Sequence, residues 1–167
     1  RRSSDLSLTQ RVSEDTLTGK KEEHEFAALS LAKTKQVADL VKWAEERPIW
    51  ISWKLDGLTL VVTYDGGKLT KVVTRGNGHI GTNITHLSLA ITGIPQNIQA
   101  QGHTVIRGEA VISYDDFERF LIESGEDYAN PRNLASGSLT LKDVDEVRQR
   151  HIQWIPFTLV HIDDDIT

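Results

Sequence analysis

An α+β fold is predicted by three features of this sequence. Short runs of apolar β-formers stand beside segments whose apolar residues recur at helical spacing. The two kinds of segment are interleaved irregularly, unlike a repeating strand–helix–strand array. The clearest turn signal, Asp65-Gly66-Gly67, joins two strand-like runs as a hairpin does, which makes those neighbours antiparallel. Taken in order, residues 1–23 are polar, rich in Ser, Thr, Lys and Glu, and read as a linker arm ahead of the domain, which covers residues 24–167. Residues 34–46 read as a helix with Thr34 as its cap, an apolar stripe of Val37, Leu40, Val41 and Ala44, and Pro48 closing it. Residues 49–55 and 58–64 read as strands, and 68–74 as the second half of the hairpin. A short helix follows at 83–91, then a strand at 104–113 after Gly102 and His103. Residues 114–124 are helical with Phe117, Phe120 and Leu121 on one face. The segment 130–139 opens on Asn130-Pro131, which suits a cap and first turn. A charged helix at 143–150 and an apolar strand at 153–161 complete the chain, with no internal repeat or low-complexity tract.

Composition narrows the function. A length of 167 residues suits one domain with a short arm. No apolar run approaches membrane-spanning length and no signal peptide opens the chain, so a cytoplasmic protein without a membrane partner is expected. The absence of cysteine excludes disulfides, thiolate metal sites and cysteine nucleophiles. The six histidines are dispersed without a supported two-ligand spacing, so no metal-ligating residues are assigned. A net charge of -5 argues against a general polyanion-binding surface and leaves room for a local basic patch. The chain starts at Arg1 and contains no methionine, so it reads as a piece of a longer protein.

The most informative segment is Lys54-Leu55-Asp56-Gly57, set between apolar β-formers. A charge at the junction of two buried strands is costly unless paired or used. A partly desolvated lysine loses its proton more readily and becomes a nucleophile. In an extended segment Asp56 points to the same side as Lys54, and Gly57 permits a turn or the close approach of a ligand. The plainer reading is a surface Lys-Asp pair at a strand end. Three further segments carry charge in unusual surroundings: Thr74-Arg75-Gly76-Asn77-Gly78, Arg107-Gly108-Glu109, and Asn130-Pro131-Arg132-Asn133-Leu134-Ala135-Ser136-Gly137-Ser138. Arg107 and Glu109 share a strand face, so a structural ion pair is one reading of them. Gly76, Gly78 and Gly81 also fit a dinucleotide-binding glycine pattern, but no long helix follows and no acidic residue lies near positions 99–101.

In that order and at similar spacings, these segments resemble the adenylation domain of bacterial NAD-dependent DNA ligases. That family carries Lys-x-Asp-Gly, Thr-Arg-Gly-Asp-Gly, Arg-Gly-Glu and Asn-Pro-Arg-Asn-x-Ala-x-Gly-Ser motifs. Ser7-Leu8-Thr9-Gln10-Arg11-Val12 is similar to its Ser-Pro-Thr-Gln-Arg-Val, and His24, Leu29, Ser30 and Leu31 to its His-x-x-Pro-Met-Leu-Ser-Leu. The resemblance runs from residue 7 to residue 161. It implies a nucleotidyltransferase (ATP-grasp-like) domain of packed antiparallel sheets with flanking helices, incomplete at its C-terminus. It also implies NAD and Mg²⁺ as cofactors, nicked double-stranded DNA as the partner of a monomeric whole protein, and a place in DNA replication and repair. Lys54 would attack NAD to give an enzyme–AMP intermediate, and AMP would pass to the 5′-phosphate of the nick before sealing. Arg75 would contact the ribose or phosphate and Glu109 the ribose hydroxyl. Ser30 and Leu31 would line the nucleotide pocket, Asp56 and Gly57 would sit beside the nucleotide, and Arg132 would face phosphate or DNA.

The sequence also departs from that pattern. Ser52 stands where the family usually has glutamate, Asn77 replaces aspartate, Thr82-Asn83 replaces Glu-Asp, Ala27-Ala28 replaces Pro-Met, and Thr140 stands where many members carry arginine. The family's later lysine motifs, its oligonucleotide-binding, zinc and helix-hairpin-helix domains, and its upstream nicotinamide-gripping domain have no counterpart here. Two alternatives therefore remain: another lysine-adenylating enzyme, such as an ATP-dependent ligase or a capping enzyme, and a non-catalytic binding module that keeps the fold.

Overall fold

Alternation along two strands decides how this chain packs. The computed structural model describes residues 19–163. Along the chain run β1 (Lys21–Glu23), α1 (Val37–Ala44), β2 (Leu58–Asp65), β3 (Lys68–Thr74), β4 (Ile80–Thr82), a 3-10 helix (Thr85–Ala90), β5 (Thr104–Val111), α2 (Tyr114–Ser124), α3 (Pro131–Ser138), α4 (Val144–Arg148) and β6 (Gln153–Ile162). Four strands form an antiparallel sheet in the order β3-β2-β5-β6, and β1 pairs with β4 in a second, two-stranded one. The α+β class and the antiparallel hairpin expected from the sequence are both present.

One face of the larger sheet carries the core. Leu60, Val62 and Tyr64 of β2, Val72 of β3, Ala110 of β5 and Trp154 of β6 are buried. They pack with Leu87 of the 3-10 helix, Phe117 of α2, Leu134 and Ala135 of α3 and Val147 of α4. Each large apolar side chain removed from water there contributes roughly 1.5–3 kcal/mol. Gly108 makes this packing possible: a Cβ at that position would lie 2.4 Å from the Trp154 indole. Burial pushes the Tyr64 hydroxyl up to about 12, and it donates to the Pro95 carbonyl at 2.9 Å. The helices on this face begin on side-chain caps: Ser113 accepts from Asp116 N, Asn130 from Asn133 N, and Asp143 from Asp145 N.

Elsewhere the structure differs from the sequence reading. Residues 49–55 are not a strand. Both edges of β2 are taken by β3 and β5, and β-forming residues without a partner strand gain nothing from an extended ladder. Trp50 and Trp53 are accordingly 100% and 93% exposed. Helix α1 is shorter than expected at both ends. Thr34 does not cap it; its hydroxyl accepts from Gln36 N and donates to Asp39 Oδ2, and Gln36 is the N-cap residue. Only Ala44 of the expected stripe is buried. The 83–91 segment is a shorter 3-10 helix, and Gly76 and Gly78 lie in the turn between β3 and β4. The arm motif at residues 7–12 lies outside the described residues, while Lys21–Glu23, read as the end of the arm, is β1.

Candidate active site

The face opposite the core is chemically different. Thr59 of β2 lies directly across from Glu109 of β5, and on its other side the Thr59 carbonyl accepts from Arg75 N at 3.0 Å. Strands β2 and β5, with the residue that directly follows β3, thus bring Arg75, Thr59 and Glu109 into one row. Gly57 N donates to Glu109 Oε1 at 3.2 Å and the Thr59 hydroxyl to Oε2 at 2.9 Å. Each carboxylate oxygen keeps a further acceptor position. Gly57 is needed for a reason the sequence reading did not give: its Cβ would meet the Ala110 carbonyl at 2.0 Å. The glycine lets the Lys54–Gly57 segment cross close to β5.

Residues 24–31 lie against this face as a strap. Phe26 and Ala28 pack on Val61 and Val105. His24 Nε2 lies 3.0 Å from the Arg75 carbonyl, Ala28 N donates to the Gly78 carbonyl at 2.7 Å, and Arg107 Nη2 donates to the Ala27 carbonyl at 2.7 Å. At the end of the strap Arg75 Nη1 donates to Ser30 Oγ at 3.0 Å. The alternative reading of Arg107 and Glu109 as an ion pair is not met among the described residues: Arg107 turns to the strap and Glu109 to β2 and Gly57.

The predicted site residues therefore gather in three groups: Ser30 with Arg75, Gly57 with Glu109, and Asp56 with Arg132. The last is an ion pair at 3.1 Å with both side chains at least half exposed, worth about 0–1 kcal/mol, so it orients rather than stabilises. Because 49–55 is not a strand, the period-two argument that placed Asp56 beside Lys54 does not hold; Asp56 is turned to Arg132. Lys54 is exposed, with no hydrogen bond or ion pair among the described residues, so the burial expected at a strand junction is not there to activate it. Leu31 is 90% exposed. Thr59, His24 and Arg107 were not singled out as site residues. The sequence offers only a weak signal for Thr59, a hydroxyl two positions after Gly57; its place opposite Glu109 comes from the strand register.

The cations of these motifs have separate partners: Arg75 reaches Ser30, Arg107 the Ala27 carbonyl and Arg132 the Asp56 carboxylate. Among the described residues no group of three or more His, Cys, Asp or Glu side chains gathers to hold a metal ion. Asp56 and Glu109 are already engaged, so the donor set does not make a Mg²⁺ cage.

An antiparallel α+β domain with two arginines and an anchored carboxylate on one sheet face, and an exposed lysine three residues before the glycine that this carboxylate holds, is suited to handling a nucleotide's phosphate and ribose. The chain belongs to the family of NAD-dependent DNA ligase adenylation domains, whose model matches residues 19–166. It is 42% identical over 147 residues to a DNA ligase of Lachnoclostridium phytofermentans, covering 86% of this chain and 22% of that protein. A DNA ligase of Ruminiclostridium cellulolyticum gives the same identity and coverage. A DNA ligase of Leptospira biflexa is 38% identical over 134 residues, covering 78% of this chain and 20% of that protein. The chain thus spans about a fifth of the length of the curated relatives it matches.

Proposed function

We propose that this chain is the lysine-adenylating part of an NAD-dependent DNA ligase and that Lys54 is the nucleophile. The neutral Lys54 amine attacks the α-phosphorus of NAD. A P–N bond forms, the bond to the nicotinamide mononucleotide phosphate breaks, and the amine's proton leaves to solvent. AMP is then transferred to the 5′-phosphate of nicked DNA, and the 3′-hydroxyl displaces it to close the strand. With Lys54 exposed, its activation comes from neighbouring positive charge and from water lost when the nucleotide covers it. Arg75 meets the ribose or phosphate, where a guanidinium offsets charge building on oxygen. Glu109 accepts from a ribose hydroxyl with its remaining lone pairs. Ser30 and Leu31 line the nucleotide pocket, Asp56 orients the segment, and Arg132 faces phosphate or DNA. Mg²⁺ would neutralise phosphate charge when the nucleotide is bound, although Asp56 and Glu109, already engaged with Arg132, Gly57 and Thr59, form no cage for it.

The single observation carrying this reading is the Glu109 carboxylate, which ties Gly57 and Thr59 together and so anchors the Lys-x-Asp-Gly segment beside Arg75. The order of the motifs supports the finer fold reading, a nucleotidyltransferase domain. No helix of the described residues is long and apolar enough to cross a membrane, which accords with a cytoplasmic enzyme. The test is nick sealing by the whole protein with NAD or ATP as the adenylate donor. Sealing with NAD alone is expected. Sealing with ATP would favour the ATP-dependent rival, and no AMP adduct with either would favour a non-catalytic module. The 167-residue chain by itself is expected to seal nothing.

A further inference from the structure

We propose that Thr59 is a positioning residue that sets the orientation of Glu109 and, through it, the preference for a ribose over a deoxyribose at the adenosine end of the donor. The inference rests on the reading of Glu109 as the ribose contact. Glu109 has three rotatable side-chain bonds and projects from β5 two residues before its end, so its carboxylate plane is fixed only by what it touches. Gly57 N holds one oxygen and the Thr59 hydroxyl the other, at 3.2 and 2.9 Å. With both held, the outward lone pairs point in one direction; with only Gly57 N left, the carboxylate can turn about that contact. Thr59 is also bound through its own carbonyl to Arg75 N, so one residue sets the spacing between the two groups proposed to grip the nucleotide. No main-chain group substitutes for the hydroxyl, because the ladder of β2 already uses its neighbours on β3 and β5.

The residue is well placed for a clean test. Valine matches threonine in shape and strand preference and lacks only the hydroxyl. In the whole protein, Thr59→Val should raise KM for NAD about tenfold while kcat in enzyme–AMP formation changes less than about twofold. A ribose contact of this kind acts alike in ground and transition states. The more specific readout compares NAD with its 2′-deoxyadenosine analogue: the wild type should prefer NAD, and Thr59→Val should lose most of that preference. Thr59→Ser, which keeps the hydroxyl, should restore both. In a Glu109→Ala background Thr59→Val should add nothing further. Unchanged KM and unchanged discrimination in Thr59→Val would overturn the inference, as would a fall in kcat with discrimination intact, which a merely structural role produces. A wild-type protein that forms no AMP adduct would overturn the functional reading itself, and this inference with it.

Discussion

The two faces of the four-stranded sheet are built from the same strands, residue by alternate residue, and do different work. On one, Leu60, Val62, Tyr64, Val72, Ala110 and Trp154 are buried under helices and the 3-10 turn. On the other, Arg75, Thr59 and Glu109 form a polar row, flanked by the small apolar contact of the strap with Val61 and Val105. A strand cannot change one face without moving the other, so stability and chemistry are separated by a single residue step. Substitutions on the core face should therefore act through folding, and those on the polar face through the nucleotide.

The largest effect is expected from the core. Leu60→Ala empties a fully buried position and should cost about 2–5 kcal/mol, seen as a lowered Tm in thermal unfolding. Below that Tm, KM for NAD should stay near wild type; a selective loss of nucleotide binding with Tm unchanged would break the division between faces. Next come Arg75→Ala and Glu109→Ala in the whole protein. Each should remove about 2–4 kcal/mol of transition-state stabilisation in adenylation, with Tm shifted by no more than about 2 °C. A large stability loss with normal adenylation kinetics would return these residues to a structural role.

A smaller effect concerns the start of the strap, at Glu25. His103 lies between Asp65 Oδ1 at 2.5 Å and Glu25 Oε2 at 2.8 Å, and only the imidazolium can donate to both. Its hydrogen bond to Asp65, with that to Glu25 adding, raises its pKa above the ordinary 6.5. The same bond lowers the Asp65 carboxyl below its ordinary 3.8. A proton held more tightly in the folded state stabilises fully below the unfolded pKa of the histidine, and that contribution is lost as pH rises through the folded pKa. The Asp65 contribution is present above its unfolded pKa and lost as pH falls through the folded one. Both act between those limits, so Tm should fall by a degree or two from about pH 6 to about pH 8. The effect is small because the acidic partners are more than half exposed. His103→Gln should flatten this slope; a slope unchanged in the variant would assign it to other groups. The smallest effect is expected from Arg132→Ala, which should change stability by less than about 0.5 kcal/mol because its ion pair with Asp56 is solvated, while still weakening transfer of AMP to DNA.

Much of this was legible in the sequence because the signals were local. The Asp65-Gly66-Gly67 turn reported the β2–β3 hairpin, both glycines having positive φ, and Asn130-Pro131 reported the start of α3. The gathering of Ser30, Arg75, Gly57, Glu109, Asp56 and Arg132 in three contacts came from motifs whose order the sequence displayed. What was not legible depended on partners. Residues 49–55 have the composition of a strand, but composition does not reveal that β3 and β5 already occupy the edges of β2. For the same reason the burial of Lys54 was misjudged. Thr59 was passed over because its hydroxyl gains meaning only from the register that sets it opposite Glu109. The final apolar strand is legible as β6, and its exposed Ile155, Phe157 and Leu159 lie at the outer edge of the sheet.

The polar face has a function only if it serves Lys54, and one measurement addresses that directly. The whole protein is incubated with NAD, its intact mass is recorded, and the modified peptide is mapped by fragmentation. Wild type should gain the mass of one AMP, carried on Lys54 as an acid-labile phosphoramidate, and Lys54→Ala and Lys54→Arg should gain none, since neither offers a neutral amine. An AMP adduct of undiminished yield in Lys54→Ala, or one mapped to another residue in the wild type, would contradict the account.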